Sequence, residues 1–247
     1  MIFSLKKCII ITVIDLKTVP VIVSSEISDP IRENLEKHDF KPLYSCKVYE
    51  LDNNISFHPD LQIKRLGGKY LVADNCSDYY MEIFGILDVK TPLINAGLLV
   101  ISPYPSDCLL NVETFGNNIV IGAKSPRISA YETYKHISVK QGYVGCSVLK
   151  LCEKAAITED VGVARALSEI GVDVLLLERG PVLLPGASYG FIGGAGFVFN
   201  KNAYFFGNIE YHPQFDVLAA FLSKHRIKYF SLSSEKLTDY GKAVPLF

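Results

Sequence analysis

No cluster of lysine and arginine longer than two stands anywhere in the 247-residue sequence, whose 25 basic and 26 acidic side chains nearly cancel. The electrostatic footprint of a nucleic-acid binder is therefore missing, and a small neutral or zwitterionic ligand fits the balance better. No apolar run has the length of a membrane helix. In MIFSLKKCIIITVIDL a basic pair precedes an apolar run in the manner of a signal peptide, but that run, Cys8 to Ile14, stops at Asp15 and no small-residue cleavage pattern follows. It reads as a strand, and the chain as cytoplasmic. No CxxC pair occurs among Cys8, Cys46, Cys76, Cys108, Cys146 and Cys152. With 49% hydrophobic residues to build a core, these six read as free thiols. No two histidines lie close together and none sits beside a cysteine at ligand spacing, so no metal is expected. No cofactor motif is present either: GASYGFIGGAG lacks a GK[ST] ending, and its glycines enter a strand. The sequence carries no signal of oligomeric state.

What is present is repetition. From Gly142 to Leu177, CSVLKL and KAAIT read as a hairpin, Val161 to Ile170 as a helix capped by Gly171, and VDVLLL as a buried strand. From Tyr189 to Leu232 the order recurs: a hairpin turning at Asn200 to Asn202, a helix from near Pro213 with Val217, Phe221 and Leu222 on one face, then IKYFSL. Two further units precede these. HPDLQIKRLGGKYLVA turns at Gly67 and Gly68, followed by SDYYMEIFG as helix and TPLIN as strand. SDCLLNVETFGNNIVIG turns at Gly116 to Asn118, followed by ISAYETYKH as helix and ISVKQ as strand. A fifth unit is split: the chain ends in DYGKAVPLF, a lone first strand, and begins with the strand candidates CIIITVI and PVIVSS, a helix at DPIRENLEKHD and a strand at KPLYSCK. The expectation is one α/β domain over residues 1–247, with units at about 58–106, 107–141, 142–188, 189–237, and 238–247 joined with 1–57. A unit assembled from both ends closes a ring and leaves no sheet edge.

Five ββαβ units with glycine-marked first strands resemble the pentein fold, a five-bladed α/β propeller shared by guanidino-group modifying enzymes and the non-enzymatic ribosome anti-association initiation factor. TEDVGVARAL, GASYGFIGGAGFVF and DYGKAVPLF further resemble a bacterial family of that fold. The resemblance implies an active site at the narrow centre, where first strands begin, with a cysteine nucleophile, a histidine often written HxD, and carboxylates for the guanidinium. In FHPDLQ, His58 and Asp60 fall on one face of a strand by period-two alternation, two units before Cys146 and 146 − 58 = 88 residues from it. The C-terminal GKAVPLF departs from the family pattern, which commonly places the cysteine at that end.

Attack on a guanidinium carbon needs a thiolate, carboxylates that grip the planar cation, and an acid for the leaving amine. Cys146 would attack, His58 would move the proton and Asp60 would orient His58 or the substrate. Asp107 in PSDCLL is the next carboxylate, and Gly193 and Gly194 would let the substrate approach the backbone. Such a nucleophile is expected to have a depressed thiol pKa. Cys146 can equally be a small buried thiol in a tight strand. Two functions stand side by side: a cysteine-dependent amidinohydrolase or amidinotransferase acting on a small guanidino-type molecule, and a non-catalytic binding or assembly protein that uses the same fold.

Overall fold

The computed structural model describes residues 18–247. CIIITVI, one of the two N-terminal strand candidates, lies outside them. In chain order the chain forms β1 (Val19–Val23), α1 (Asp29–Lys37) and β2 (Phe40–Tyr44). Next come α2 (Pro59–Gln62), β3 (Ile63–Leu66), β4 (Lys69–Val72), α3 (Ser77–Leu87) and β5 (Leu93–Asn95). Strands β6 (Glu113–Phe115), β7 (Asn118–Gly122) and β8 (Lys135–Val139) follow. The second half holds α4 (Val144–Ser147), β9 (Val148–Cys152), β10 (Ala155–Thr158), α5 (Val161–Glu169), β11 (Asp173–Leu176), β12 (Gly196–Phe199), β13 (Asn202–Phe205), α6 (Phe215–Lys224), β14 (Lys228–Ser231) and β15 (Val244–Pro245).

These strands make five three-stranded sheets of one design, β15-β1-β2, β3-β4-β5, β6-β7-β8, β9-β10-β11 and β12-β13-β14. In each, the first strand runs antiparallel to the middle one and the third runs parallel to it. The local reasons are legible in the residues. Gly67 and Gly68 take φ of +56° and +76° between β3 and β4, the mirror-image turn that matches strand twist in a two-residue hairpin. Asp160 caps α5 by accepting from Val163 N at 2.9 Å, a bond typically worth about 1 kcal/mol. Middle strands, flanked on both sides within their sheets, are the most buried: Val21–Val23, Tyr70–Val72, Ile119–Ile121 and Ala155–Ile157 are each at most 1% exposed. No described helix is long and apolar enough to cross a membrane.

The split fifth sheet forms as expected, and PVIV is the N-terminal run that takes part: β1 pairs with β15 through Val21↔Pro245, and Leu246 N donates to Pro20 O at 2.8 Å. Three expectations are corrected. ISAYETYKH holds only a helical turn at Ser129–Tyr131, because Tyr131 is pulled fully into the core, where its hydroxyl donates to Leu109 O at 2.6 Å. Val217 is 53% exposed, and Leu218 joins Phe221 and Leu222 on the buried face of α6. HPDLQ and GCS are not strand starts but single helical turns, α2 and α4, that deliver the chain to β3 and β9. Pro59, at the first position of α2, has the φ that a helical turn wants, so His58 and Asp60 belong to a turn and its cap, not to one strand face.

Candidate active site at the convergence of the first strands

The turns ahead of β3, β6, β9 and β15 converge. Asp60 N donates to Gly241 O at 3.1 Å, which joins α2 to the approach to β15. Cys146 Sγ donates to Asp60 Oδ2 at 2.7 Å. Asn111, just ahead of β6, links the two: its Nδ2 lies 3.1 Å from Asp60 Oδ2 and 3.2 Å from Cys146 Sγ, and its Oδ1 accepts from Cys146 N at 3.0 Å. A ring nitrogen of His58, a carboxylate oxygen of Asp60 and the sulfur of Cys146 all lie within 4.8 Å of one another. His58, Asp60 and Cys146 are each 3% exposed. Zinc takes donors of these types, and expectations based on neighbours along the chain do not bear on ligands drawn from different units.

Two more carboxylates complete the cluster. Asp239 Oδ1 accepts from Gly241 N at 2.9 Å and lies 4.0 Å from His58 Nδ1, while Oδ2 accepts from Phe191 N at 2.9 Å. Glu159, at the end of β10, accepts from Ile192 N through Oε2 at 2.9 Å. His58 Nδ1, Asp60 Oδ1 and Glu159 Oε1 are buried without a hydrogen-bond partner. Unpaired buried polar atoms are costly, and three in one cluster are what a site lined for a polar ligand would present.

The electrostatics follow from burial. The Cys146 thiol is pushed well above its ordinary value, first by burial and then by the charges of Asp60 and Asp239. This corrects the expected depression: the resting thiol is held protonated. Burial also raises Asp239, against the opposing pull of His58. Burial pushes Glu159 up to about 7. Because that lies above the 4.5 of a free glutamate, its contribution to stability is complete below about pH 4.5 and is lost as pH rises through about 7. Glu159→Gln should therefore flatten the fall of the thermal midpoint over that window, removing up to roughly 3 kcal/mol of pH-dependent stability. An unchanged slope would show that Glu159 is not ionised late.

Of the remaining candidates, Asp107 is buried but already engaged: Oδ2 accepts from Tyr143 OH at 2.5 Å and Oδ1 from Cys108 Sγ at 3.2 Å. Gly193 and Gly194 serve close packing. A Cβ on Gly193 would stand 2.5 Å from Cys146 O, and one on Gly194 would overlap Asp239 Oδ1. Asn111, Glu159 and Asp239 were missed by sequence reasoning. The available signal was positional: aligned on their first strands, the repeats put Asp60, Asn111 and Cys146 within three residues of the strand start.

On the strand side of this cluster a cavity of about 430 Å³ is lined by residues of all five first strands, with Asp60 in its wall and neither Cys146 nor His58. Here Lys64 Nζ and Lys242 Nζ both donate to Glu113 Oε2, at 3.1 and 3.0 Å. Burial alone would raise the Glu113 carboxyl, but Lys242, Lys64 and Lys150 hold it well below the usual range. Burial lowers Lys64.

Comparison with solved structures bears on the fold. The chain is similar to SxtG, an amidinotransferase from Microseira wollei in the saxitoxin biosynthetic pathway, with a TM-score of 0.55, 8% identity, and 94% of this chain and 95% of that one covered. It is similar to the agmatine deiminase of C. jejuni, with a TM-score of 0.55, 12% identity, and 93% and 81% covered. It is also similar to inosamine-phosphate amidinotransferase StrB1 from Streptomyces griseus, with a TM-score of 0.53, 11% identity, and 88% and 80% covered. The fold is the one these structures share, a pentein-like fold. The chain belongs to the family described as Family of unknown function (DUF6873), whose model matches residues 22–244. No curated protein matches the sequence.

Proposed function

We propose that the chain is a cysteine-dependent enzyme acting on the guanidino or amidino carbon of a small cationic molecule. The observation that carries this is the meeting of Cys146, His58 and Asp60 within 4.8 Å, beside buried carboxylate oxygens that lack donors. A planar cation supplies such donors bidentately. Its positive charge among Asp60, Asp239 and Glu159 would also offset the repulsion that keeps the thiol protonated, so the ligand itself brings out the thiolate. The thiol proton passes to Asp60 Oδ2, with which it is already hydrogen-bonded at 2.7 Å. The sulfur bonds to the central carbon, the carbon–nitrogen bond breaks, and the departing amine takes a proton from His58. Water then releases the carbon group in a hydrolase, or an acceptor amine does so in a transferase. Asp107 and the backbone at Gly193 and Gly194 flank this centre. We take the five sheets as blades of one closed propeller domain, and the chain as cytoplasmic, where free thiols such as Cys46, Cys76, Cys108, Cys146 and Cys152 persist.

The test compares a cationic and a neutral alkylating agent. Chloroacetamidine should label Cys146 at least about tenfold faster than chloroacetamide, the neutral reagent with the same leaving group, one pKa unit of thiol activation by the bound cation being enough. Cys146→Ser should abolish the labelling without unfolding the protein. If Cys146 in the folded protein resists both reagents equally, the second reading takes over: a binding or assembly protein with its thiol sealed at 3% exposure and no cysteine at the C-terminal strand.

A further inference from the structure

The strand-lined cavity has the wrong charge for a guanidinium ligand. Its wall carries Lys64, Arg65, Lys150 and Lys242 against Asp60 and Glu113. Internal partners account for some of these charges. Lys150 Nζ is committed to Glu153 and to Thr114 O, outside the cavity wall. Lys242 Nζ spends its three protons on Glu113, Gly145 O and Val148 O. Asp60 Oδ2 is taken from the far side by Cys146 and Asn111. Lys64 remains, its ammonium sharing with Lys242 the one oxygen Glu113 Oε2 and making no other hydrogen bond among the described residues. Arg65 remains as well: its guanidinium lies 3.7 Å from the Phe247 ring centroid, and among the described residues it makes no ion pair. With Lys150 set aside, Lys64 and Arg65 are the cations of the wall that keep donors uncommitted among the described residues. The rest of the wall is apolar, built from Ile63, Leu149, Phe197, Val198, Phe199 and Val244.

We propose that this cavity is a second ligand site, separate from the Cys146 centre, for a small organic monocarboxylate with an aliphatic or aromatic body. Lys64 is the inner cation and Arg65 the outer one, and the apolar body lies on the strand walls. A carboxylate matches the uncommitted donors of Lys64 and Arg65, and about 430 Å³ is within the range of pockets that hold small molecules. An ammonium that keeps unused N–H donors in a half-dry cavity gives a carboxylate charge-assisted bonds that a neutral amide cannot replace. The site also has a physical tie to the candidate active centre, because Lys242 bonds Glu113 on the cavity side and Gly145 O, next to Cys146, on the other.

Hexanoate and benzoate serve as probes, with hexanamide and butylguanidine as controls, followed by calorimetry on the whole chain. Both carboxylates should bind saturably with Kd of about a millimolar or tighter, as expected for ligands of this size. Hexanamide and butylguanidine should each bind at least about tenfold more weakly. Arg65→Gln at the rim and Lys64→Met inside should each weaken hexanoate by about tenfold, with the thermal midpoint of Arg65→Gln unchanged. Cys146→Ser should bind hexanoate like the unmodified chain, which separates this site from the alkylation experiment. Absence of saturable carboxylate binding, equal binding of hexanamide, or indifference to both substitutions would overturn the proposal.

Discussion

Glu113→Gln is expected to destabilise the protein by about 3–5 kcal/mol, the usual cost of removing one partner from a buried ion pair. Lys64, Lys242 and Glu113 have side chains only 12%, 14% and 8% exposed, and one carboxylate oxygen serves both ammonium groups. Glutamine keeps the shape and leaves two buried cations without a counter-charge. The pH dependence has a definite sign. Because the folded protein holds the Glu113 carboxyl below its value in the unfolded chain, its stabilisation is present above about pH 4.5 and is lost as pH falls below that. Urea unfolding at neutral and mildly acidic pH measures both effects: the variant should unfold at lower denaturant and lose part of its acid sensitivity. A loss under about 1 kcal/mol would mean that the cluster is hydrated and pairs weakly.

Gly241→Ala should cost about 3 kcal/mol or more, from overpacking and backbone strain together. Gly241 has φ +74°, and a Cβ there would fall on the His58 side chain and 2.6 Å from His58 Cα. The neighbour is backbone and a ring packed at 3% exposure, so it cannot swing aside. Chemical denaturation reads the cost, and the chloroacetamidine rate reads the displacement of His58. A variant as stable as the parent chain would show that α2 and the approach to β15 are not packed as described. The space beside this residue is filled by His58, so a side chain at position 241 has no room.

The parts of the fold that local chemistry dictates were legible in advance. The Gly67–Gly68 hairpin, the helix α5 and the joining of the C-terminal strand to an N-terminal one follow from turn residues and apolar runs, whereas the choice of PVIV and the Asp160 cap came only with the structure. The short turns α2 and α4 were not, because FHPDLQI has apolar residues at 57, 59, 61 and 63 like a strand, and a single turn such as α4 is too short to show a helical period. The centre was half legible. His58, Asp60 and Cys146 stand out by residue type, whereas Asn111, Glu159 and Asp239 are ordinary polar residues until the sheets bring them together. The resting state of the thiol was misread for a similar reason. A nucleophile's residue type argues for thiolate, but desolvation and two neighbouring carboxylates, none visible along the chain, decide for the protonated form.

The pairing of β15 with β1 sets an order of events during folding. The other four sheets draw their three strands from contiguous stretches, so each can form as soon as its own segment is free. The sheet β15-β1-β2 cannot, because Val21 must wait for Pro245 at the far end of the chain. Until then β1 and β2 present an unpaired edge, a template for another chain's strand. The candidate centre inherits the delay: Asp239, Gly241 and Lys242 arrive with β15, so the surroundings of Cys146 are completed only by this last, most non-local closure, which topology makes the slowest contact to find.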